Sequence, residues 1–207
     1  MSIIVPKGYK SSLDQKQTEK AIKFVKDTFE RELSSELKLS RVTSTLFVQA
    51  NSGINDDLNG VEKPVSFNVG NMNSCKMEIV QSLAKWKRMA LADHGFACGT
   101  GLYTDMNAIR PDDDIDNIHS IYVDQWDWER VMRVEDRNVA FLKKMVTKIY
   151  EAIKRTEFLV SEYYPACAQE LPEEITFIHS EEARAMYPEL TPVQREKELA
   201  KKYGAIF

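Results

Sequence analysis

The chain has 207 residues, of which 43% are hydrophobic and 29% are charged, and its formal net charge is −4. This composition is typical of a globular protein with a buried core, and it is too apolar for intrinsic disorder. Because the chain lacks a long basic stripe, we expect no nucleic-acid binding, and because no stretch approaches ~20 apolar residues, we expect no membrane span.

The cysteines and histidines predict neither a disulfide framework nor a metal site. Cys75, Cys98 and Cys167 are odd in number, widely spaced and without a CxxC pair, so we expect three reduced thiols in the cytoplasm. The three histidines show no HxH or HExxH spacing, and the chain start has too short an apolar run for a signal peptide.

The first part of the chain predicts one long helix followed by short strands. Ile22, Val25, Phe29 and Leu33 recur at helical spacing and form one apolar stripe, and Ser12 is the expected N-cap. In chain order, the predicted elements are a helix over 13–37, a strand over 41–49, a loop over 50–63, and strands near 65–69 and 76–80.

The remainder predicts a mixture of strands and helices. Ser82, Ser180 and Thr191 are expected N-caps, the last with Pro192 at the first helical position. The predicted elements are a helix over 82–93, a strand over 102–110, a turn over 111–114, a strand over 118–128, a helix over 138–163, a strand over 175–178, two short helices after Ser180 and Thr191, and a strand opening at 205–207.

Consecutive strands outnumber strand–helix alternations as far as Asp124. This order predicts an α+β fold with a mainly antiparallel sheet flanked by helices. We expect one catalytic-core domain over residues 1–207. The last three residues, Ala205-Ile206-Phe207, form an apolar, strand-like run. Chain ends are usually polar and frayed, so we expect the natural protein to continue beyond Phe207.

Lys87 has two interpretations on the predicted helix. At 100° per residue, Leu83, Trp86 and Ala90 define the buried face, and Lys87 lies about 70° from its centre. A lysine at this edge can bury its stem and aim its charge into a cleft. The alternative is a solvated cationic helix face, because lysine is rarely buried.

Two further features carry polar groups that could form a site. Alternation along the predicted strand places Gln125, Asp127 and Glu129 on one side, which is consistent either with a site or with simple solvent exposure. Arg110 ends a strand, where a guanidinium could bind a carboxylate or phosphate through two hydrogen bonds or pair with nearby surface acids.

Other motifs are weaker. The acidic run over 112–116 lacks the glycine and terminal glutamate of an EF-hand loop, so a solvated turn is favoured over a calcium site. Gly99-Thr100-Gly101 leads into a strand and lacks the third glycine of a dinucleotide-binding fingerprint. The chain contains no phosphate-binding GxxxxGK[ST] loop.

Four long segments have unusual amino-acid sequences. They are Asp-Asp-Leu-Asn-Gly at 56–60, Ser-Leu-Ala-Lys-Trp-Lys-Arg at 82–88, Gly-Leu-Tyr-Thr-Asp-Met-Asn-Ala-Ile-Arg at 101–110 and Tyr-Val-Asp-Gln-Trp-Asp-Trp-Glu at 122–129. In their sequence, order and spacing they resemble asparagine synthetase A, the ammonia-dependent aspartate–ammonia ligase. The resemblance spans about 12–207.

The resemblance implies a fold like the catalytic core of class II aminoacyl-tRNA synthetases, working as a homodimer. It also implies ATP-dependent activation of L-aspartate to β-aspartyl-adenylate with release of pyrophosphate. Ammonia then displaces AMP and gives L-asparagine. Mg²⁺ is expected to accompany the ATP phosphates, which suit a hard cation.

The resemblance also implies residue roles. Arg110 matches an arginine that bridges the reacting carboxylate and the α-phosphate, and adenine is expected near the connection over 112–120. Substrate binding is implied for Asp56, Ser82, Lys87, Gln125 and Asp127, catalysis for Arg110 and Lys87, and nucleotide binding for Arg110, His119 and Ser120.

Some positions depart from the family pattern. Gln81 stands where histidine is frequent, Thr100 where glutamate is frequent and Asp113 where glutamate is common. The family's glycine-rich C-terminal motif is absent from the chain. The alternative is therefore a catalytically incomplete pseudoenzyme, or a binding or dimerisation module, if Phe207 is the true end. A tRNA synthetase core is a third possibility, against which the lack of a basic surface argues.

Overall fold

A computed structural model describes residues 3–207. Two 3₁₀ turns, Gly70–Met72 and Val134–Asp136, accompany the longer elements. These elements, in chain order, are α1 Gln15–Leu37, β1 Leu39–Arg41, β2 Phe47–Gln49, β3 Ser66–Val69, β4 Cys75–Ile79, α2 Ala84–Asp93, β5 Gly101–Ile109, β6 Tyr122–Arg130, α3 Val139–Tyr163, α4 Ser180–Met186 and α5 Pro192–Tyr203.

The chain divides into two compact units. The first contains the described residues up to Lys10 together with Leu37–Arg133, and the second contains Ser11–Glu36 and Val134–Phe207. The first unit therefore carries every strand from β1 to β6 together with α2. The expectation of a single catalytic-core domain over residues 1–207 stays a prediction.

The first unit contains two three-stranded sheets among the described residues, with the orders β1-β5-β6 and β2-β4-β3. β1 is parallel to β5, whereas the pairs β5–β6, β2–β4 and β3–β4 are antiparallel. The prediction of an α+β chain with mainly antiparallel strands is confirmed. A buried cluster of Val48, Val80, Leu83, Met106 and Ala108 joins β2, β5 and the start of α2.

Gly101 lies where the three strands of one sheet come together. It is opposite Leu39 of β1 and Arg130 of β6. A Cβ atom here would lie 2.2 Å from the carbonyl oxygen of Glu129 and 2.8 Å from a methyl carbon of Leu39. Only glycine allows the strands to approach this closely.

Two predicted strands have different bounds in the structure. The predicted strand over 41–49 is wrong, because β1 ends at Arg41 and pairs with β5, whereas β2 begins at Phe47 and pairs with β4 of the other sheet. The strand predicted from 118 begins only at Tyr122. The carboxylate of Asp116 accepts the backbone N–H groups of the two residues at 118 and 119, which closes a turn there.

Two of the three N-caps predicted for the second unit are replaced in the structure by a side chain one or two residues away. Ser12 is not the cap of α1, because the carboxylate of Asp14 accepts the N–H three residues later at 2.7 Å. Likewise His179, and not Ser180, caps α4. Thr191 caps α5 as predicted, with proline at the first position. A side chain one or two residues away can replace the predicted cap, because another nearby polar acceptor satisfies the same free N–H groups.

The strands predicted over 175–178 and 205–207 form only an isolated bridge among the described residues. Thr176 and Ile206 form an isolated parallel bridge, supported by backbone hydrogen bonds on both sides. The long helices α1 and α3 agree with the predicted ranges to within two residues at each end. In the part of the chain that the structure describes, no helix is both long enough and apolar enough to cross a membrane.

An ion-pair network joins α1 and α3 in the second unit. Lys148 contacts Glu36 at 2.5 Å, and Arg155 contacts both Glu32 at 3.0 Å and Glu36 at 3.2 Å. The hydrogen bond from Lys148 lowers the pKa of Glu36 below its ordinary value of 4.5. A carboxyl group with a lowered pKa in the folded state stabilises the protein above its unfolded pKa, and this contribution is lost as the pH falls through the folded pKa.

We therefore expect Glu36→Gln to lower the free energy of unfolding by about 1 kcal/mol at neutral pH. Urea denaturation should show this difference at pH 7 and a smaller one in acid, because the contribution is lost as the pH falls through the lowered pKa of Glu36. Glu19→Gln, at an exposed position of the same helix, is the control and should change neither value. An equal loss from Glu36→Gln at both pH values would contradict the assignment.

Candidate active site

One face of the β5–β6 pair carries the candidate residues of the two strands. Along β5 the side chains of Leu102, Thr104, Met106 and Ala108 are buried. Their partners on β6 are Glu129, Asp127, Gln125 and Val123. Opposed residues of an antiparallel pair share a face. The predicted polar row therefore lies on the buried side of this sheet.

The helix α2 packs on this polar row, so the row is not simply exposed to solvent. Arg88 contacts Glu129 at 2.9 Å, and Lys87 contacts Asp127 at 2.5 Å. The side chains of Asp127 and Glu129 are only 22% and 27% exposed. The opposite face of the pair packs aromatic rings, with Tyr103 and Trp126 centroids 4.6 Å apart.

Lys87 is buried, with 3% of its surface exposed. Its Nζ donates to Oδ1 of Asp127 at 2.5 Å and to the carbonyl oxygen of Trp128 at 3.1 Å. The interpretation of a solvated cationic face is therefore wrong for this residue. Burial of its stem is confirmed, whereas the expectation that its charge points into a cleft stays a prediction. A buried ammonium group is stable only with such partners, because desolvation penalises an isolated charge.

One carboxylate oxygen of Asp127 remains available for a ligand. Its Oδ1 accepts both from Lys87 and from the backbone N–H of Trp128 at 2.9 Å. Within residues 3–207, Oδ2 accepts no hydrogen bond. A carboxylate can accept several hydrogen bonds. Asp127 can therefore hold Lys87 and still accept a further donor such as an ammonium group.

The junction between β4 and α2 brings Ser82 and the Asp56 loop together. Ser82 was predicted as the N-cap, but Leu83 occupies that position without a side-chain cap. The Ser82 hydroxyl instead accepts the N–H of Ala84 at 3.2 Å. Asn55 accepts hydrogen bonds from the N–H groups of Gln81 and Asp56. The carboxylate of Asp56 is half-buried and has no partner among the described residues.

Arg110 follows the last residue of β5, and its backbone N–H donates to the carbonyl oxygen of Ile121 at 2.8 Å. Its side-chain Nε is buried without a hydrogen-bond partner in the described chain. The guanidinium group forms no ion pair with any acid among residues 3–207, so the interpretation as a paired surface arginine is wrong. A half-buried guanidinium with an unused donor suits an anionic ligand.

His119 and Ser120 lie on the exposed connection between β5 and β6. Nδ1 of His119 contacts Oδ1 of Asp116 at 2.8 Å. The backbone N–H of Ile118 and the imidazole of His119 lower the pKa of Asp116 below its usual 3.8. Asp112 of the same connection accepts the N–H of Lys63 at 3.1 Å. This turn orders the segment that carries the predicted adenine contacts.

Gln125 is half-buried on the same face as Asp127. Its Nε2 lies 3.4 Å from the sulfur of Met106, which is a weak acceptor. Gln81, which the sequence analysis noted only as a departure from a pattern, is 2% exposed, and its Nε2 has no partner in the described chain. Both carboxamides thus retain hydrogen-bonding capacity.

Sequence reasoning missed Asn55. This residue is 9% exposed within a loop whose neighbours are largely exposed. Its hydrogen-bond partners include Glu78, Ile79 and Gln81, which are more than twenty residues away. No local spacing could have indicated these contacts. Among residues 3–207, no group of three or more His, Cys, Asp or Glu side chains could hold a metal ion.

Solved structures with a similar fold include two from Entamoeba histolytica. Its asparaginyl-tRNA synthetase matches with a TM-score of 0.57 at 10% identity, covering 92% of this chain and 44% of that chain. The same synthetase in complex with asparaginyl-adenylate matches with a TM-score of 0.56, covering 96% and 48%. At this identity the likeness concerns the fold alone, and it confirms the predicted class II aminoacyl-tRNA synthetase-like architecture.

Relatives with similar sequences share one description. The aspartate–ammonia ligase of Bacteroides thetaiotaomicron is 56% identical over 205 residues, covering 99% of this chain and 59% of that protein. The aspartate–ammonia ligase of Ruminiclostridium cellulolyticum is 55% identical over 206 residues, covering 100% and 61%. The chain therefore spans about three fifths of the length of these relatives.

The family model described as AsnA, aspartate-ammonia ligase, matches residues 16–207. That match includes all four segments on which the resemblance depended and every candidate site residue. Because the family model and relatives more than half identical both extend along nearly the whole chain, the chain belongs to the aspartate–ammonia ligase family.

Proposed function

We propose that the full-length protein joins L-aspartate to ammonia with ATP as the energy source. The side-chain carboxylate of aspartate attacks the α-phosphorus, and pyrophosphate leaves with the electrons of the broken P–O bond. Ammonia then attacks the acyl carbon of β-aspartyl-adenylate, loses a proton and expels AMP. The product is L-asparagine.

The observation that carries this proposal is the arrangement of charge along one sheet face. Asp127, which binds Lys87, is the strand partner of Thr104, and Arg110 follows Thr104 by six residues, directly after the end of β5. A ligand with a zwitterionic end and a phosphate end would match the order of charges along this row.

The proposed roles follow from the chemistry of each group. Oδ2 of Asp127 would accept the α-ammonium group, and Lys87 would neutralise a carboxylate. Arg110 would bridge the attacking carboxylate and the α-phosphate, where negative charge increases in the transition state. Further polar contacts to aspartate are proposed for Asp56, Ser82 and Gln125, and contacts to the nucleotide for His119 and Ser120.

Mg²⁺, a homodimer and a cytoplasmic location are part of the proposal. Because the described residues form no cluster that could hold a metal ion, Mg²⁺ would be carried by the phosphate oxygens of ATP, which are hard ligands. We assign no reaction step to it. The three cysteines are free thiols, which is typical of a reducing compartment.

Release of AMP from ATP is the first test of this function. The full-length protein should release AMP and form asparagine only when L-aspartate and ammonium are both present, because the adenylate must form and then be attacked. Nucleotide chromatography and amino-acid analysis measure both products. Reactions that omit either substrate, and reactions with glutamine in place of ammonium, are the controls.

Two results would contradict the ligase. No AMP under any condition would favour a catalytically incomplete binding or dimerisation module. AMP release that requires tRNA, together with aminoacylated tRNA, would identify a tRNA synthetase instead. Equal amounts of AMP and asparagine without tRNA would establish the proposed reaction.

A further inference from the structure

Asn55 is a buried polar side chain for which the proposed reaction provides no direct role. It lies in the long connection between β2 and β3, and only 9% of its surface is exposed. Residues 51–53 and 57–61 around it are exposed. A carboxamide is buried at a cost unless its hydrogen bonds are satisfied. Its burial within a mostly exposed loop therefore marks an anchor.

The side-chain oxygen of Asn55 links two segments that carry candidate aspartate-binding residues. Oδ1 accepts the N–H of Gln81 at 2.8 Å and the N–H of Asp56 at 3.1 Å. Gln81 immediately precedes Ser82 in the chain. One oxygen atom thus connects the backbone beside the Asp56 carboxylate to the backbone beside the Ser82 hydroxyl.

The rest of Asn55 is fastened to the same junction. Nδ2 donates to the carbonyl oxygen of Ile79 at 3.2 Å and reaches Oε2 of Glu78 at 3.5 Å. Its own carbonyl oxygen accepts from Nζ of Lys85 at 3.1 Å. Contacts to β4, to α2 and to the loop itself therefore meet at this residue.

The loop contains no regular structure, and beside Asn55 it is held by Ile54, which packs against the buried cluster of the first unit. No helix or strand lies between Gln49 and Ser66. Holding such a segment in one conformation has an entropic cost, and an unfastened loop would meet that cost each time a ligand binds. Asn55 orders the loop before binding.

We propose that Asn55 is a positioning residue that fixes the Asp56 carboxylate relative to the Ser82 hydroxyl, and thereby sets the affinity for L-aspartate. This inference rests on the proposed function, in which both groups contact the amino acid. Asn55 acts through its two neighbours and does not contact the substrate. The nucleotide end of the site, at Arg110, should be independent of it.

Steady-state kinetics of Asn55→Ala in the full-length protein provide the first test. We expect KM for L-aspartate to rise by roughly 10- to 100-fold, because small misplacements of binding groups have effects of this size. KM for ATP should stay within about threefold, which corresponds to less than 1 kcal/mol. Asn68→Ala, at an exposed position of β3, is the matched control and should change neither.

A conservative pair of variants separates positioning from simple loss of packing. Asn55→Asp keeps the oxygen that accepts from Asp56 and Gln81 but places a second oxygen against Ile79 and Glu78. Adding Glu78→Gln supplies a donor to that second oxygen. We expect KM for L-aspartate to be closer to the unsubstituted value in the double variant than in Asn55→Asp alone.

Amide hydrogen exchange gives a measurement that does not depend on turnover. Asn55→Ala should accelerate exchange at Asp56 and Gln81, and Asn68→Ala should not. If the unsubstituted protein releases no AMP, the proposed function fails, and exchange together with calorimetric titration of L-aspartate still decides the inference. Unchanged exchange, or an equal loss of affinity for L-aspartate and ATP, would overturn it.

Discussion

Arg110→Lys is expected to lower kcat of the full-length protein roughly 100- to 1,000-fold, the effect of removing one well-placed transition-state donor. Lysine keeps the charge but cannot reproduce the planar fork with which a guanidinium binds two oxygens at once. Because Arg110 makes no side-chain hydrogen bond or ion pair within the described residues, the substitution removes no such contact. The melting temperature should therefore change little.

Single-turnover AMP formation with saturating substrates measures this effect most directly, since it isolates the chemical step from product release. Arg137→Lys is the matched control, because Arg137 is exposed and its side chain makes no hydrogen bond or ion pair among the described residues. Near-normal turnover of Arg110→Lys would remove this arginine from its proposed role. A large fall in melting temperature would indicate a structural role instead.

Asp127→Asn is expected to lower the stability and also to weaken L-aspartate binding. Lys87 is 3% exposed and pairs with Asp127, so the substitution leaves a buried ammonium group without its counterion. Removing one partner of a buried pair costs about 3 kcal/mol or more. Affinity for ATP should fall far less than affinity for L-aspartate, because only the amino acid brings an ammonium group.

The double variant Lys87→Met/Asp127→Asn separates the two effects. Removing both charges ends the desolvation penalty, so we expect chemical denaturation to show most of the lost stability restored. Calorimetric titration should nevertheless show weak L-aspartate binding, because neither charged group remains. If Asp127→Asn weakens the binding of L-aspartate and of ATP equally, Asp127 has only a structural role in the sheet.

The parts of the fold that depend on local periodicity were predictable. The apolar stripe of α1 and the long amphipathic run of α3 specify helices regardless of what they pack against. The split between β1 and β2 was not predictable, because the residue types over 41–49 favour a strand throughout, whereas the pairing partner changes after Arg41. Arg41 pairs with Tyr103, whereas Phe47 pairs with Ile79.

In the candidate site, too, only the features that depend on local periodicity were predictable. Strand alternation was sufficient to place Gln125 and Asp127 on one face, since the period of two is fixed by backbone geometry. The burial of Lys87 depends on Asp127, which lies forty residues further along the chain. Helix geometry alone could only leave that question open. The specific residue roles came from the resemblance to a family and stay predictions.

The ion-pair network of the second unit has a consequence for how the chain folds as it is made. Glu36 is synthesised 112 residues before Lys148, and Glu32 is synthesised 123 residues before Arg155. At 5–20 residues per second, ribosomal synthesis needs roughly 6 to 20 s to supply the first of these partners. During that interval the whole of β1 to β6 is synthesised. The first unit can therefore complete its sheets while α1 still lacks the helix against which its charges are neutralised.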